Sequence, residues 1–327
     1  MKIRNSFLLL LASFVWGISF VSQRTGGVLM GSFTFNGIRS FIGSLFLLGL
    51  YYVLRALRGR KGGGETVVRD ESQAVRERRN LILGGIVCGV VLFVATSLQQ
   101  VGLTMGTGSG KAGFLTACYI VLVPIWSIFL GKRCGWNVWV AVFMAVEGLY
   151  LLCMKGSFSM QTSDLLVLLC ALCFSFHILV IDHFSPLVDG VKLSCMQFMV
   201  CGILSLPFIF FVDMRGSFAG IPQWLTGFGS TDAWIALLYA GIMSCGVGYT
   251  LQIVGQEGIN PTVASLLMSP ESVFSVLAGF VLLQETLTGR EILGCVIMFA
   301  AIILSQIPCK PLRGRSLRAQ KAQKGTA

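Results

Sequence analysis

The sequence predicts an all-α polytopic membrane protein of ten transmembrane helices, built from two inverted five-helix repeats. Three observations predict it. Hydrophobic residues fill 55% of the 327 positions and charged residues only 12%, with a mean hydropathy of +0.80; a soluble domain carries about 25% charged residues. The apolar residues also fall in continuous blocks near the ~20 residues that a helix needs to cross the hydrocarbon core. They lack the polar–apolar alternation of barrel strands. Finally, the second half of the chain resembles the first.

The first predicted helix, 6–23, follows Lys2 and Arg4 and could pass for a secretory signal. No small-residue cleavage pattern follows it, so it reads as an uncleaved first span. The second, 33–54, contains Arg39, and the third is 80–99. Between them, "RALRGRKGGGETVVRDESQAVRERR" (55–79) has the Gly run and dense charge of a flexible cytoplasmic loop. Before the fourth helix (112–130), "TMGTGSGK" is similar to a phosphate-binding loop. That motif needs Gly at 105 and Ser or Thr at 112, where the chain has Met105 and Ala112, so no ATPase is implied. The fifth helix, 136–154, closes the first repeat (1–154). The second repeat (155–307) holds helices 164–182, 192–212, 233–254, 262–283 and 290–307, and 308–327 is a basic tail. Trp136, Trp139, Trp224 and Trp234 lie near predicted ends and fit interfacial belts. Gly85 with Gly89 and Ser244 with Gly248 allow close helix approach.

Nineteen of the 25 Lys and Arg residues fall on the side of the N-terminus, five on the other, and Arg39 lies within a span. The positive-inside rule then places both termini in the cytoplasm of a cell whose cytoplasmic membrane the chain spans. The net charge of +11 is therefore mostly a topology signal. The basic tail can touch anionic lipid head groups. It has no aromatics interleaved with its charges, so no nucleic-acid partner is expected.

The repeat is carried by order and spacing. "ASFVWGISF" (12–20) lies over "CALCFSFHI" (170–178) at an offset of 158, pairing Trp16 with Phe174, Ser19 with His177 and Arg39 with Gln197. "TSLQQVG" lies over "YTLQIVG" at an offset of 153, pairing Gln99 with Gln252. An odd number of spans per repeat makes the second copy enter the membrane from the opposite side. Inverted repeats of this kind support alternating access around a site near the midplane.

A lone charge at the bilayer centre costs several kcal/mol, so embedded ionisable residues are functional candidates. Here they are Arg39, Glu147, His177 and Glu271. Glu271 lies near the middle of the ninth helix beside Pro270, which frees a backbone carbonyl. One reading makes it a proton or substrate-amine site; the other is a protonated Glu hydrogen-bonded between helices. Arg39 cannot shed its charge. It is either a clamp for a substrate carboxylate (or a gate partner for Glu271), or a structural Arg that snorkels to the outer end of the bundle. His177 is a proton relay, or a neutral His bonded to a neighbouring hydroxyl. Trp16, Tyr119, Tyr249, Gln99 and Gln252 could wall a cavity; Trp16 and Gln252 are kept as candidates and the other three are read as helix contacts. The eleven cysteines mostly lie in apolar blocks, and neither they nor the two histidines form a metal-ligand pattern, so no metal and no cofactor are expected.

The motifs, taken in order, resemble the drug/metabolite transporter superfamily, EamA type, over roughly residues 6–307. "FVWGISFV" is similar to its first helix, "GIRSFIGSLFLLGL" to its second and "GFLTACYIVLVPIWSIFLGKR" to its fourth. "ASLLMSPESVFSVLAGFVLLQETLTGREILGCVIMFAAIILSQ" follows its closing pattern of an apolar helix, a Pro with a neighbouring acid, "LLxGE" and a small-residue helix. Two departures stand out. The fourth helix ends in "FLGKR", so Glu285 has no acidic counterpart, and Glu147 in "MAVEGLYLL" replaces a small residue. The resemblance implies that helices 5 and 10 brace the bundle, which ranks Glu147 lowest. It implies a secondary transporter that exports small organic metabolites, such as amino acids or related solutes, driven by protons or by the solute's own gradient. The competing readings are a membrane-embedded enzyme, which would need clustered catalytic groups, and a sensor or scaffold without transport.

Overall fold

A computed structural model describes residues 2–60, 71–132, 135–153, 160–282 and 288–307. The regular elements among them are helical and form ten spans. Span 1 is Lys2–Met30, span 2 Ser32–Arg60, span 3 Glu71–Thr104, span 4 Ser109–Phe129 and span 5 Trp136–Cys153. Span 6 is Thr162–Phe184, span 7 Gly190–Asp213, span 8 Thr231–Gln256, span 9 the pair Pro261–Met268 and Glu271–Leu282, and span 10 Gly289–Gln306. All but span 5 are long and apolar enough to cross a bilayer unaided; span 5 is shorter and packs into the same bundle. Ten crossings put Lys2 and Gln306 on one face, called here the terminal face; the opposite face is the far face.

The packing has the symmetry that the repeat requires. Span 3 lies against spans 6 and 7, as span 8 lies against spans 1 and 2. Span 4 lies against span 6, as span 9 lies against span 1. Spans 2 and 7 pack on each other, and so do spans 5 and 10. Exchanging the two halves leaves this pattern unchanged. Small residues set the closest approaches: a Cβ on Gly148 would lie 2.9 Å from the Gly294 carbonyl, and one on Gly85 2.6 Å from the Met196 Cβ.

The ends are capped from within the chain. Span 1 turns into span 2 through Gly31, at φ 94°, where a Cβ would also lie 2.7 Å from the Asp213 carboxyl carbon. Asp213, at the end of span 7, accepts from the Thr34 amide (2.6 Å) and the Thr34 hydroxyl (2.7 Å). Span 2 is thus capped by a carboxylate from the other repeat. Span 6 begins with a capping box between Gln161 and Asp164, and span 10 with one between Thr288 and Glu291.

Three expectations are corrected. The insert at 55–79 is not a loop throughout: span 2 continues to Arg60 and span 3 begins at Glu71. Residues such as those of "ESQAVRERR" favour helix and carry the spans past the lipid boundary; 61–70 lie outside the described residues. Span 4 is not one straight helix but two, Ser109–Ala117 and Tyr119–Phe129, broken at Cys118. Span 9 breaks at Ser269–Pro270. At the 153-residue offset Cys118 falls on Glu271, so the two breaks are counterparts. Span 8 widens into a π-helix over Tyr239–Gly248, a glycine-rich stretch that no periodicity signals.

Two loose ends of the sequence acquire partners. Lys111, the lysine of the phosphate-loop lookalike, pairs with Asp164 at 2.5 Å. Lys132 stands where the resemblance calls for an acid, and its ammonium pairs with Asp182 of span 6. Spans 4 and 6 are therefore tied at both faces. Glu285 and the tail from residue 308 lie outside the described residues.

Candidate substrate cavity

The breaks in spans 4 and 9 face a single cavity at the middle of the bundle. Pro270 has no amide proton to give the Leu266 carbonyl, and the Ser269 hydroxyl donates to that carbonyl instead, at 2.8 Å. The helix restarts at Glu271, so this carboxyl occupies the first turn of a half-helix, at the positive end of its dipole. Tyr119 likewise opens the second half of span 4, and its hydroxyl donates to Glu271 Oε1 at 3.2 Å. The residues that restart the two broken helices therefore meet across the cavity. Broken helices whose ends converge at mid-bundle are the usual construction of a solute site in lipid, because the loosened backbone is covered by protein.

Arg39 lines the same cavity from span 2. It is 3% exposed, so it does not snorkel to the far surface. Its Nε and Nη2 donate to Asn36 Oδ1 at 3.2 and 2.8 Å, and Asn36 Nδ2 donates in turn to Thr96 and Ser97 of span 3. Among the described residues, no carboxylate forms an ion pair with Arg39 or with the rest of this network. Close contacts fix the backbone beneath: a Cβ on Gly43 would lie 2.6 Å from Cys245 Cβ, and one on Gly241 3.2 Å from the Arg39 carbonyl. The guanidinium is thus oriented, buried and, among the described residues, without a counter-charge.

Aromatic rings from spans 1, 7 and 8 line the same cavity. Trp16 packs on Tyr249 at 4.7 Å between ring centroids, and Tyr249 meets Phe198 edge-on at 5.1 Å. Trp16 Nε1 donates to the Ser244 carbonyl at 3.4 Å, inside the widened π-turn of span 8. Gly248 makes room for this indole, since a Cβ there would lie 2.7 Å from Nε1. Gln99 donates to Thr116 at 3.0 Å, whereas the side-chain oxygen of Gln252 is buried with no partner. The cavity leaves about 40 Å³ for the centres of water molecules.

Of the sequence candidates, the structure brings Glu271, Arg39, Trp16 and Gln252 to this one cavity. Tyr119, Tyr249 and Gln99, read from the sequence as helix contacts, also line it. His177 does not: it lies one layer behind, its ring 5.9 Å from Tyr249, and its partner is the Gln197 side-chain oxygen at 3.1 Å rather than a hydroxyl. Glu147 lies on the exposed face of span 5, away from the cavity. Asn36 and Gln23 also line it, and sequence reasoning misses both. Asn36 had a legible signal, three residues before Arg39 and so on the same helix face.

A bundle of two inverted repeats packed around a central, part-polar cavity has the architecture of a membrane solute carrier. The chain belongs to the EamA-like transporter family, whose pattern matches residues 4–154 and 161–306, and it fits the drug/metabolite transporter superfamily. An uncharacterized transporter from Archaeoglobus fulgidus is 28% identical over 298 residues, covering 90% of this chain and 83% of its own. A crystal structure of a protein that shares 15% identity superposes with a TM-score of 0.70 over 94% of this chain and 97% of its own, a likeness of fold.

Proposed function

We propose that the protein is a secondary transporter that exports small zwitterionic metabolites, amino acids or related solutes, across the cytoplasmic membrane by alternating access. The single observation that carries this reading is the pairing, in one cavity, of a buried guanidinium with no counter-charge among the described residues and a buried acid. Arg39 takes the solute carboxylate, a charge-assisted contact that relieves the burial of an unpaired cation. Glu271 takes the amine, or a proton in its absence, and Tyr119 keeps the carboxyl oriented. Trp16 and Tyr249 cover the solute between its charged ends, and Gln252 offers it a free acceptor. His177 supports the Tyr249 wall. Both termini lie in the cytoplasm, following the Lys and Arg bias, and the surrounding lipid, the solute and protons are the partners. The transporter family favours this reading over an enzyme or a sensor.

The test is counterflow of labelled amino acids in proteoliposomes of the purified full chain. Saturable uptake is expected, with loss of affinity in Arg39→Ala and loss of proton-gradient coupling in Glu271→Gln. Absence of counterflow across a panel of amino acids, amines and carboxylates refutes the transporter reading. Full gradient-driven uptake by Glu271→Gln removes the proton role.

A further inference from the structure

The cavity is not symmetric although the bundle is. Counterparts Trp16 and Phe174 both line it, as do Phe20 and Ile178, and Gln99 and Gln252. Towards the far face the symmetry fails. Gln23, Asn36 and Arg39 line the cavity, whereas their counterparts at the 158-residue offset, Ile181, Ser194 and Gln197, do not. Those three lie towards the terminal face, each 0% exposed. The cavity is thus displaced from the centre of the repeat towards the far side.

The sealed counterparts are also poorly satisfied. Among the described residues, Ser194 Oγ, Gln197 Nε2 and Nδ1 of His177, which pairs with Gln197 through its other nitrogen, are buried without a hydrogen-bond partner. Turning the Gln197 amide would still leave one of its polar atoms unpaired, because His177 occupies only one. An unpaired buried polar group costs about 1–3 kcal/mol, and such groups in a folded protein call for a reason. Asn36, the counterpart of Ser194, is by contrast fully engaged with Arg39, Thr96 and Ser97, although Gln23 Oε1 on the same wall is unpaired too.

We infer that Ser194, Gln197 and Ile181 form the cavity wall in the opposite-facing state, in the place that Asn36, Arg39 and Gln23 hold here. This rests on the alternating-access reading above. When two inverted repeats exchange their conformations, each residue takes the surroundings of its counterpart. Water then reaches the Ser194 hydroxyl and the Gln197 amide from the terminal face, and Arg39 is withdrawn from the cavity. A solute carboxylate that rests on a guanidinium in this state meets a neutral amide in the other. The site therefore holds anionic groups more weakly when it faces the terminal side, and the neutral residue opposite Arg39 becomes a determinant of specificity.

The experiment is thiol labelling of the full chain in membrane vesicles of either sidedness. The probe is the impermeant cation methanethiosulfonate ethyltrimethylammonium, read site by site by peptide mass spectrometry so that the native cysteines stay in place. Asn36→Cys and Gln23→Cys report the far-side wall; Ser194→Cys and Ile181→Cys, on separate spans, report its counterparts. Native Cys170, 0% exposed, supplies the rate of a sealed interior. Asn36→Cys is expected to react from the far face. Ser194→Cys or Ile181→Cys is expected to react from the terminal face, ~10- to 1,000-fold more slowly if that state is the minor one. Reaction at 194 and 181 no faster than at Cys170, or equal reaction from both faces, overturns the inference. If counterflow persists alongside that result, transport stands and only the exchange of walls is lost; if counterflow is absent, the transport reading itself falls.

Discussion

Gly17→Ala tests the contact on which the acid rests. A Cβ at position 17 would lie 2.5 Å from Phe274 Cβ, 2.7 Å from the Glu271 carbonyl oxygen and 2.9 Å from the Phe274 carbonyl carbon. Two of these are backbone atoms, which cannot swing aside as a side-chain tip can. Ordinary contact begins near 3.4 Å, so the restarted half of span 9 must retreat by about 1 Å, a displacement in the range where overpacking costs ~1–3 kcal/mol. Gly49, on the lipid-facing side of span 2, has nothing within 4 Å of its would-be Cβ. Gly49→Ala should therefore show only the helix gain of ~0.5–1 kcal/mol that alanine brings. The two variants should differ by about 2 kcal/mol, or roughly 4–8 °C in thermal midpoint by the scale of domains of a few hundred residues. Fluorescence-detected thermal unfolding in detergent measures this, and counterflow by Gly17→Ala should fall further than its stability because Glu271 moves with the helix. If Gly17→Ala melts with Gly49→Ala, spans 1 and 9 are not held at this distance, and the placement of Glu271 fails with it.

Three other outcomes follow from single contacts. Asp213→Ala removes the cap that span 7 gives span 2 and should cost about 1 kcal/mol in the same thermal assay, while leaving the far-face pair Lys111–Asp164 in place. Lys132→Asp should lower the midpoint, and adding Asp182→Lys should restore it with a coupling of about 0.5–1 kcal/mol, small because the Lys132 side chain is 41% exposed; additive effects in the double variant would deny the pairing. Tyr119→Phe deletes the hydroxyl that donates to Glu271 and should weaken solute binding by about 0.5–1.5 kcal/mol, roughly two- to tenfold in affinity; an unchanged affinity would leave Tyr119 as wall only.

The class, the number of spans, the repeat and four of the cavity residues are legible in the amino-acid order alone. The reason is that lipid punishes charge: Arg39 and Glu271 stand out because nothing else explains their cost in an apolar run, and Pro270 marks the break beside one of them. That order could not say which faces of the helices look inward. In a bundle solvated by lipid both faces are apolar, so Tyr119, Tyr249 and Gln99 read like any packing residue, and the break at Cys118 has no proline to announce it.

How these pieces meet is a matter of three-dimensional packing. It placed Tyr119 against Glu271, since two counterpart breaks converge only once the repeats close on each other. It set His177 behind the wall rather than in it, and gave Lys132 an acid from span 6 in place of the missing motif. Above all it made two equivalent halves inequivalent, with Arg39 facing the cavity and Gln197 sealed. Pairing across a repeat can be read from spacing along the chain, but the side to which a cavity leans depends on packing between elements far apart in sequence.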